Sequence, residues 1–226
     1  FVPLARALFR TMDLSEGSAA VGLALLTGGL AENLNRMIHP QADCFLLLAL
    51  VFLAARKIWL RTGGPGWGLL GGAAAGALAY AYPFYGLYAD AVSFFLLAWT
   101  LQCGDSRARP FAVMAGLAFL ISLPFAWHNL TLQQLPQYSE VLTQNGFLPT
   151  HFPTLKASLA CILGALASGL LAPSDRPFFI AAFLAALACL NMHVVTGSYL
   201  PMVAEHFRHA YRLPWALLSA AILERQ

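Results

Sequence analysis

A chain of 226 residues that is 59% hydrophobic and only 10% charged cannot dress the surface of a water-soluble domain, which commits roughly a quarter of its residues to charge. The composition excludes a soluble enzyme and places the fold in lipid, and a net charge of +3 carried by connector arginines leaves no footprint for nucleic acid. The four cysteines, Cys44, Cys103, Cys161 and Cys189, lie in or beside apolar runs without paired spacing, so buried inert thiols are predicted rather than disulfides or a metal site.

The chain opens at Phe1 with FVPLARALFRTMDLSEG, which lacks the apolar core and small-residue cleavage site of a signal peptide. It reads as a fragment of a longer protein, one transmembrane domain over residues 1–226. Apolar runs follow at Leu14–Ala31, Ala42–Leu60, Gly66–Tyr82, Phe84–Gln102, Pro110–His128, Pro153–Ala172 and Asp175–Met192. Each is near the roughly 17 to 25 residues of a spanning helix. A last run, Arg212–Leu223, is too short and reads as a truncated eighth. The predicted fold is all-α, a polytopic bundle of about seven spanning helices.

Gly66–Gln102 would make one helix of 37 residues, about 55 Å long against a hydrocarbon core of about 30 Å. Pro83 divides it into a hairpin. Proline removes a backbone donor, and AYAYPFYGLYAD adds Gly86, Asp90 and four tyrosines, the composition of an interfacial turn. With that division Arg6, Arg10, Arg56, Lys57, Arg61, Arg107, Arg109, Arg176 and Arg225 fall on one side and Arg36, Lys156, Arg208 and Arg212 on the other, nine against four. Without it the balance is eight against five. Cytoplasmic loops collect Lys and Arg, so the connectors Asn33–Asp43, Tyr82–Asp90, His128–Pro153 and Met192–Arg212 are predicted to lie outside, with all six histidines. The inner connectors GDSRARP and APSDRP read as plain hairpin links whose arginines set topology only.

Three outer elements carry side chains able to do chemistry. In Asn33–Asp43, a polar island between apolar runs, Arg36 offers a two-pronged fork for phosphate or carboxylate, with His39, Gln41 and Asp43 close behind. Alternatively Arg36 snorkels to headgroups and Pro40 merely starts a helix. In the second, Tyr80, Tyr82, Tyr85 and Tyr88 surround Asp90, read at the first turn of a helix with Arg36 or a tyrosine hydroxyl as partner; the rings equally suit a headgroup belt. In the third, Asn191–Trp215, Gly197 and Pro201 break the helix ahead of Glu205, His206, Arg208, His209 and Arg212. His206, His209 and Glu205 lack HExxH spacing and a third ligand, so no metal is assigned. A cationic cluster for an anionic lipid or lipid-linked phosphate is one reading and a solvated loop the other. The 24-residue connector Asn129–Phe152 is predicted to form a short interfacial helix or lid. Arg36, His39, Asp90, His206 and Arg208 are predicted to converge on one outer cavity, because charges left to lipid cost up to about 3 kcal/mol each.

The R-x-x-HPQ element (Arg36, His39, Pro40, Gln41), the YPFY turn and the later TG…P…H-F element (Thr196, Gly197, Pro201, His206, Phe207) resemble the middle and later part of bacterial polytopic membrane proteins of the GT-C glycosyltransferase-like class. The resemblance implies sugar transfer from a polyprenyl-phosphate donor at the outer face of the inner membrane, with Arg36 and the Arg208/Arg212 pair on the donor phosphate. The full substrate-binding set is Arg36, His39, Gln41, Asp90, His206, Arg208 and Arg212. That class draws its acidic catalytic residue from the first outer loop, expected upstream of Phe1, so no catalytic base is assigned here. No cofactor is implied, with room left for a divalent cation; the partners are membrane lipid and a lipid-linked sugar. Two other classes fit. A secondary transporter would carry charge on broken helices near the midplane, often with an inverted repeat, and no repeat is visible. A non-catalytic scaffold or assembly subunit would tolerate replacement of the outer polar residues.

Overall fold

The computed structural model of the protein describes residues 7–11, 15, 18, 20–22, 24, 40–144, 148–199 and 203–225, with the backbone alone at 40–43, 142, 148–149, 198–199 and 203–210. Most of the predicted run Leu14–Ala31 falls outside these residues, as do Arg36 and His39. Among the described residues the chain forms α1 (Pro40–Trp59), α2 (Pro65–Ala81), α3 (Pro83–Gln102), α4 (Ala108–Leu132), α5 (Tyr138–Gln144), β1 (Leu148–Pro149), α6 (Leu155–Ala167), a 3-10 turn (Ser168–Leu170), α7 (Arg176–Leu190), α8 (Met192–Thr196), β2 (Ser198–Tyr199) and α9 (Val203–Leu223).

The fold is all-α, as predicted, apart from a two-residue antiparallel ladder pairing Leu148 with Tyr199. Among the described residues three helical stretches are long and apolar enough to cross a membrane: α3, α4, and α7 continued through α8 to Thr196. Leu155–Leu170 and Tyr211–Leu223 are shorter apolar helices. The last helix begins at Val203 rather than Arg212, so Glu205–Arg212 is helical and not an open connector.

Pro83 does divide Gly66–Gln102. It stands at the first position of α3, where a missing N–H costs nothing, and only Tyr82, extended at φ −154°, separates α2 from α3. Gly86 then packs against the backbone of Ala79, so the chain reverses within one residue. Tyr82–Asp90 is therefore not a turn, because Pro83–Asp90 is already helix. The reversal sets α2 and α4 parallel on either side of one return. A Cβ on Gly68 would lie 2.7 Å from Pro110 O, one on Gly72 2.7 Å from Met114 O, and one on Gly76 2.5 Å from Ile121 Cβ. Glycines at i, i+4 and i+8 let two backbones approach closely where no hydrophobic effect drives helices together.

α1 is apolar on all sides and buried accordingly, with Leu48, Val51, Phe52, Ala55 and Ile58 in the core. Phe52 packs edge-on to Phe178 of α7 and against Tyr88 of α3. α4 instead turns Phe119, Leu120, Leu123 and Trp127 outward. Such a contiguous apolar face marks contact with lipid.

Contacts also decide which loops share an end. Arg56 pairs with Asp175, Arg61 with Asp105, Trp59 Nε1 donates to Ser174 O, and Arg225 Nη1 donates to Leu170 O. The ends of α1 and α9, the α3–α4 connector and the start of α7 thus meet at one basic end. The loops bearing His151 and His193 meet at the other, the histidine end. For these loops the grouping agrees with the one predicted from arginine and lysine bias; the predicted outer connector Asn33–Asp43 lies almost wholly outside the described residues.

Candidate functional site

At the histidine end two distant stretches are sewn together. Thr150 N–H donates to Gly197 O at 3.2 Å, continuing the β1–β2 ladder. His151 Nδ1 donates to Val194 O at 2.8 Å, and His193 Nε2 donates to Phe152 O at 2.7 Å, since a carbonyl can only accept. Asn191 completes the clasp: its Oδ1 accepts from Thr154 N–H at 2.9 Å, while its Nδ2 donates to Ser158 Oγ at 2.8 Å and Leu187 O at 2.9 Å. Gly197 ends α8 at φ +71°, where an L side chain is strained, and a Cβ there would meet the His151 ring at 2.9 Å. The predicted break at Gly197 is real. The long connector forms the short helix α5, then this clasp, rather than closing as a free lid.

Asp90 differs from expectation in depth, while Arg36, one of its expected partners, lies outside the described residues. It lies seven residues past Pro83, about 10 Å along α3, well beyond the first turn. Its Oδ2 accepts from Ser122 Oγ of α4 at a long 3.4 Å, and its Oδ1 is buried without a partner among the described residues. Two nearby tyrosine hydroxyls are committed elsewhere: Tyr88 donates to Ala182 O at 3.2 Å and Tyr80 to Ile121 O at 2.8 Å. That second bond falls beside Pro124, whose ring interrupts the α4 ladder and loosens nearby carbonyls. Asp90 therefore faces a locally polar patch on a proline-interrupted helix.

Of the other predicted site residues, Arg36 and His39 lie outside the described residues, and Gln41, His206 and Arg208 have only their backbone described. Gln41 stands in the first turn of α1. His206, Arg208 and Arg212 share the amino-terminal half of α9, with Arg208 and Arg212 one turn apart on one face. Arg212 is half-buried. α9 packs against α3, the helix that carries Asp90. Among the described residues no group of three His, Cys, Asp or Glu side chains could hold a metal ion.

Sequence reasoning missed the ordered polar assembly at the basic end, where the connectors do more than set topology. Arg56 is 2% exposed, pairs with Asp175 at 2.6 Å and lies 5.4 Å from the Phe178 ring centroid. Its Nε and Nη1 have no hydrogen-bond partner among the described residues. Asp105 accepts from Arg107 Nη2 at 2.6 Å, Nε at 2.8 Å and backbone N–H at 2.8 Å, bonds that hold its carboxyl well below the usual carboxylate range. Arg107 also stacks 3.9 Å above the Trp59 ring and donates to Trp59 O. The one available signal was Arg56 itself, an arginine inside the apolar run Ala42–Leu60 rather than beyond it. Compared with protein-family models, curated proteins and solved structures, the chain matches none.

Proposed function

We propose that this chain is part of a membrane-embedded glycosyltransferase of the GT-C-like class, taking a sugar from a polyprenyl-phosphate carrier at the outer face of a bacterial inner membrane. In this reading about seven helices cross the bilayer and the histidine end faces outward. The supporting observation is the setting of α9. The Gly197 clasp lies just ahead of it in the chain, and α9 carries His206, Arg208 and Arg212 on its amino-terminal half while packing against α3. Arginine forks one turn apart suit a lipid-linked phosphate held at the interface. Arg36, His39 and Gln41 would complete the donor site. In the full-length protein, Arg208→Ala and Arg212→Ala should each lower transfer from a lipid-linked sugar by tenfold or more, a loss of about 1.4 kcal/mol or more, with unchanged expression and melting temperature. Full transfer by both variants would remove the phosphate role and leave a scaffold.

One observation favours a second reading, a secondary transporter: Asp90 sits at membrane depth, with an oxygen lacking a partner among the described residues, beside a proline-interrupted helix. Proton- or cation-driven uptake in vesicles, abolished by Asp90→Asn while the α9 variants retain it, would select this reading over the transferase.

A further inference from the structure

α6 with its 3-10 turn spans Leu155–Leu170, about 24 Å at 1.5 Å per residue, short of the about 30 Å hydrocarbon core. Lys156, Leu159, Leu163, Leu166 and Leu170 recur at i, i+3, i+7, i+10 and i+14, one stripe along its surface. All four leucines are at least half exposed. Near the head of the stripe Phe152 and Val195 are more than four-fifths exposed, on the two stretches that the His151–Val194 and His193–Phe152 bonds join. Such side chains beside a clasp this well bonded are presented, not left over.

Lys156 is exposed and makes no hydrogen bond or ion pair with any described residue. It also stands at the histidine end, beside the Thr154–Asn191 bond, where the retention of basic connectors on the cytoplasmic side gives no reason for it. His151 commits Nδ1 to Val194 O and its ring remains exposed beside the same turn.

We infer that this face of α6 is a binding site for one anionic lipid, its phosphate against Lys156 and its chain along Leu159, Leu163, Leu166 and Leu170, with Phe152 and Val195 seated among the neighbouring headgroups. A single ammonium holds free phosphate weakly in water, whereas about 21 Å of apolar stripe adds contact that only a lipid supplies. The short helix helps: bilayer thinning around it lowers headgroups toward Lys156. This site stands on other residues than the proposed transferase site, so either survives failure of the other.

The full chain would be reconstituted in nanodiscs of equal phosphatidylglycerol and phosphatidylcholine, and retained lipid read by native mass spectrometry. Phosphatidylglycerol should be retained preferentially, Lys156→Gln should reduce that preference about fivefold, and Lys156→Arg should keep it. A preference unchanged in Lys156→Gln would mean annular lipid only and overturn the site. Equal loss in Lys57→Gln at the basic end, or displacement of the lipid by excess inorganic phosphate, would overturn it as well.

Discussion

At the scale of single residues, two charges are carried inside the apolar body, and their surroundings differ. Arg56 is held by Asp175, by the Phe178 ring and by the rigidity of the Trp59–Ser174 bond beside it. Asp90 has one long bond from Ser122 and an oxygen without a partner among the described residues. A buried cation that loses its partner cannot recover hydration, so Asp175→Asn should destabilise the protein by about 2 to 3 kcal/mol. That is below the loss for a fully buried pair, because Asp175 keeps 25% of its side chain exposed. Adding Arg56→Met to Asp175→Asn should restore most of the loss, read as melting temperature in detergent. A double variant no more stable than Asp175→Asn would show that Arg56 is held by something other than the carboxylate.

At the scale of elements, α2 packs closely against α4, and glycine makes it possible. Gly72→Ala places a methyl 2.7 Å from the Met114 carbonyl and 2.9 Å from Leu117 Cβ, contacts that backbone cannot easily yield. We expect a loss of about 1 to 3 kcal/mol. Gly116 of α4 faces open space, and there the same change should stabilise by up to about 1 kcal/mol through helix propensity alone. Thermal unfolding of the two variants side by side tests the pairing. Equal shifts of the same sign would separate α2 from α4. The opposite design rule governs the clasp, where β1, β2 and two imidazole–carbonyl bonds tie together stretches more than 40 residues apart in sequence.

At the scale of the whole molecule, the loops fall into two sets by direct contact, and the basic set includes the ion network of Arg56, Arg61, Arg107, Asp105 and Asp175. With the histidine end outward, Gln137→Cys and Gln144→Cys should react with a membrane-impermeant maleimide in intact cells and Ser106→Cys should not. Gln137 precedes α5 and Gln144 ends it, while Ser106 lies between α3 and α4, so the three report opposite ends of α4. Labelling of Ser106→Cys alone would invert the orientation and, with it, the compartment of both proposed sites.

Helical class, lipid as solvent and the hairpin at Pro83 were legible from the chain alone, because each follows from local chemistry: apolar run length, scarcity of charge, and a proline with no N–H to give. The same holds for the break at Gly197. That the loops of His151 and His193 lie at the other end from Arg56, Arg61 and Asp105 was legible for a similar reason, since apolar run length separates them along the chain. The depth of Asp90 was not, because it depends on whether Tyr82–Asp90 is a turn or a helix, and one extended residue suffices to reverse the chain. Nor was the clasp of His151 on Val194, or Arg56 on Asp175, 119 residues away. A histidine or an arginine in a sequence announces what it can bond. Which carbonyl or carboxylate comes within 3 Å of it is decided by how helices pack, and that packing is set by glycines and aromatic rings spread over the whole chain.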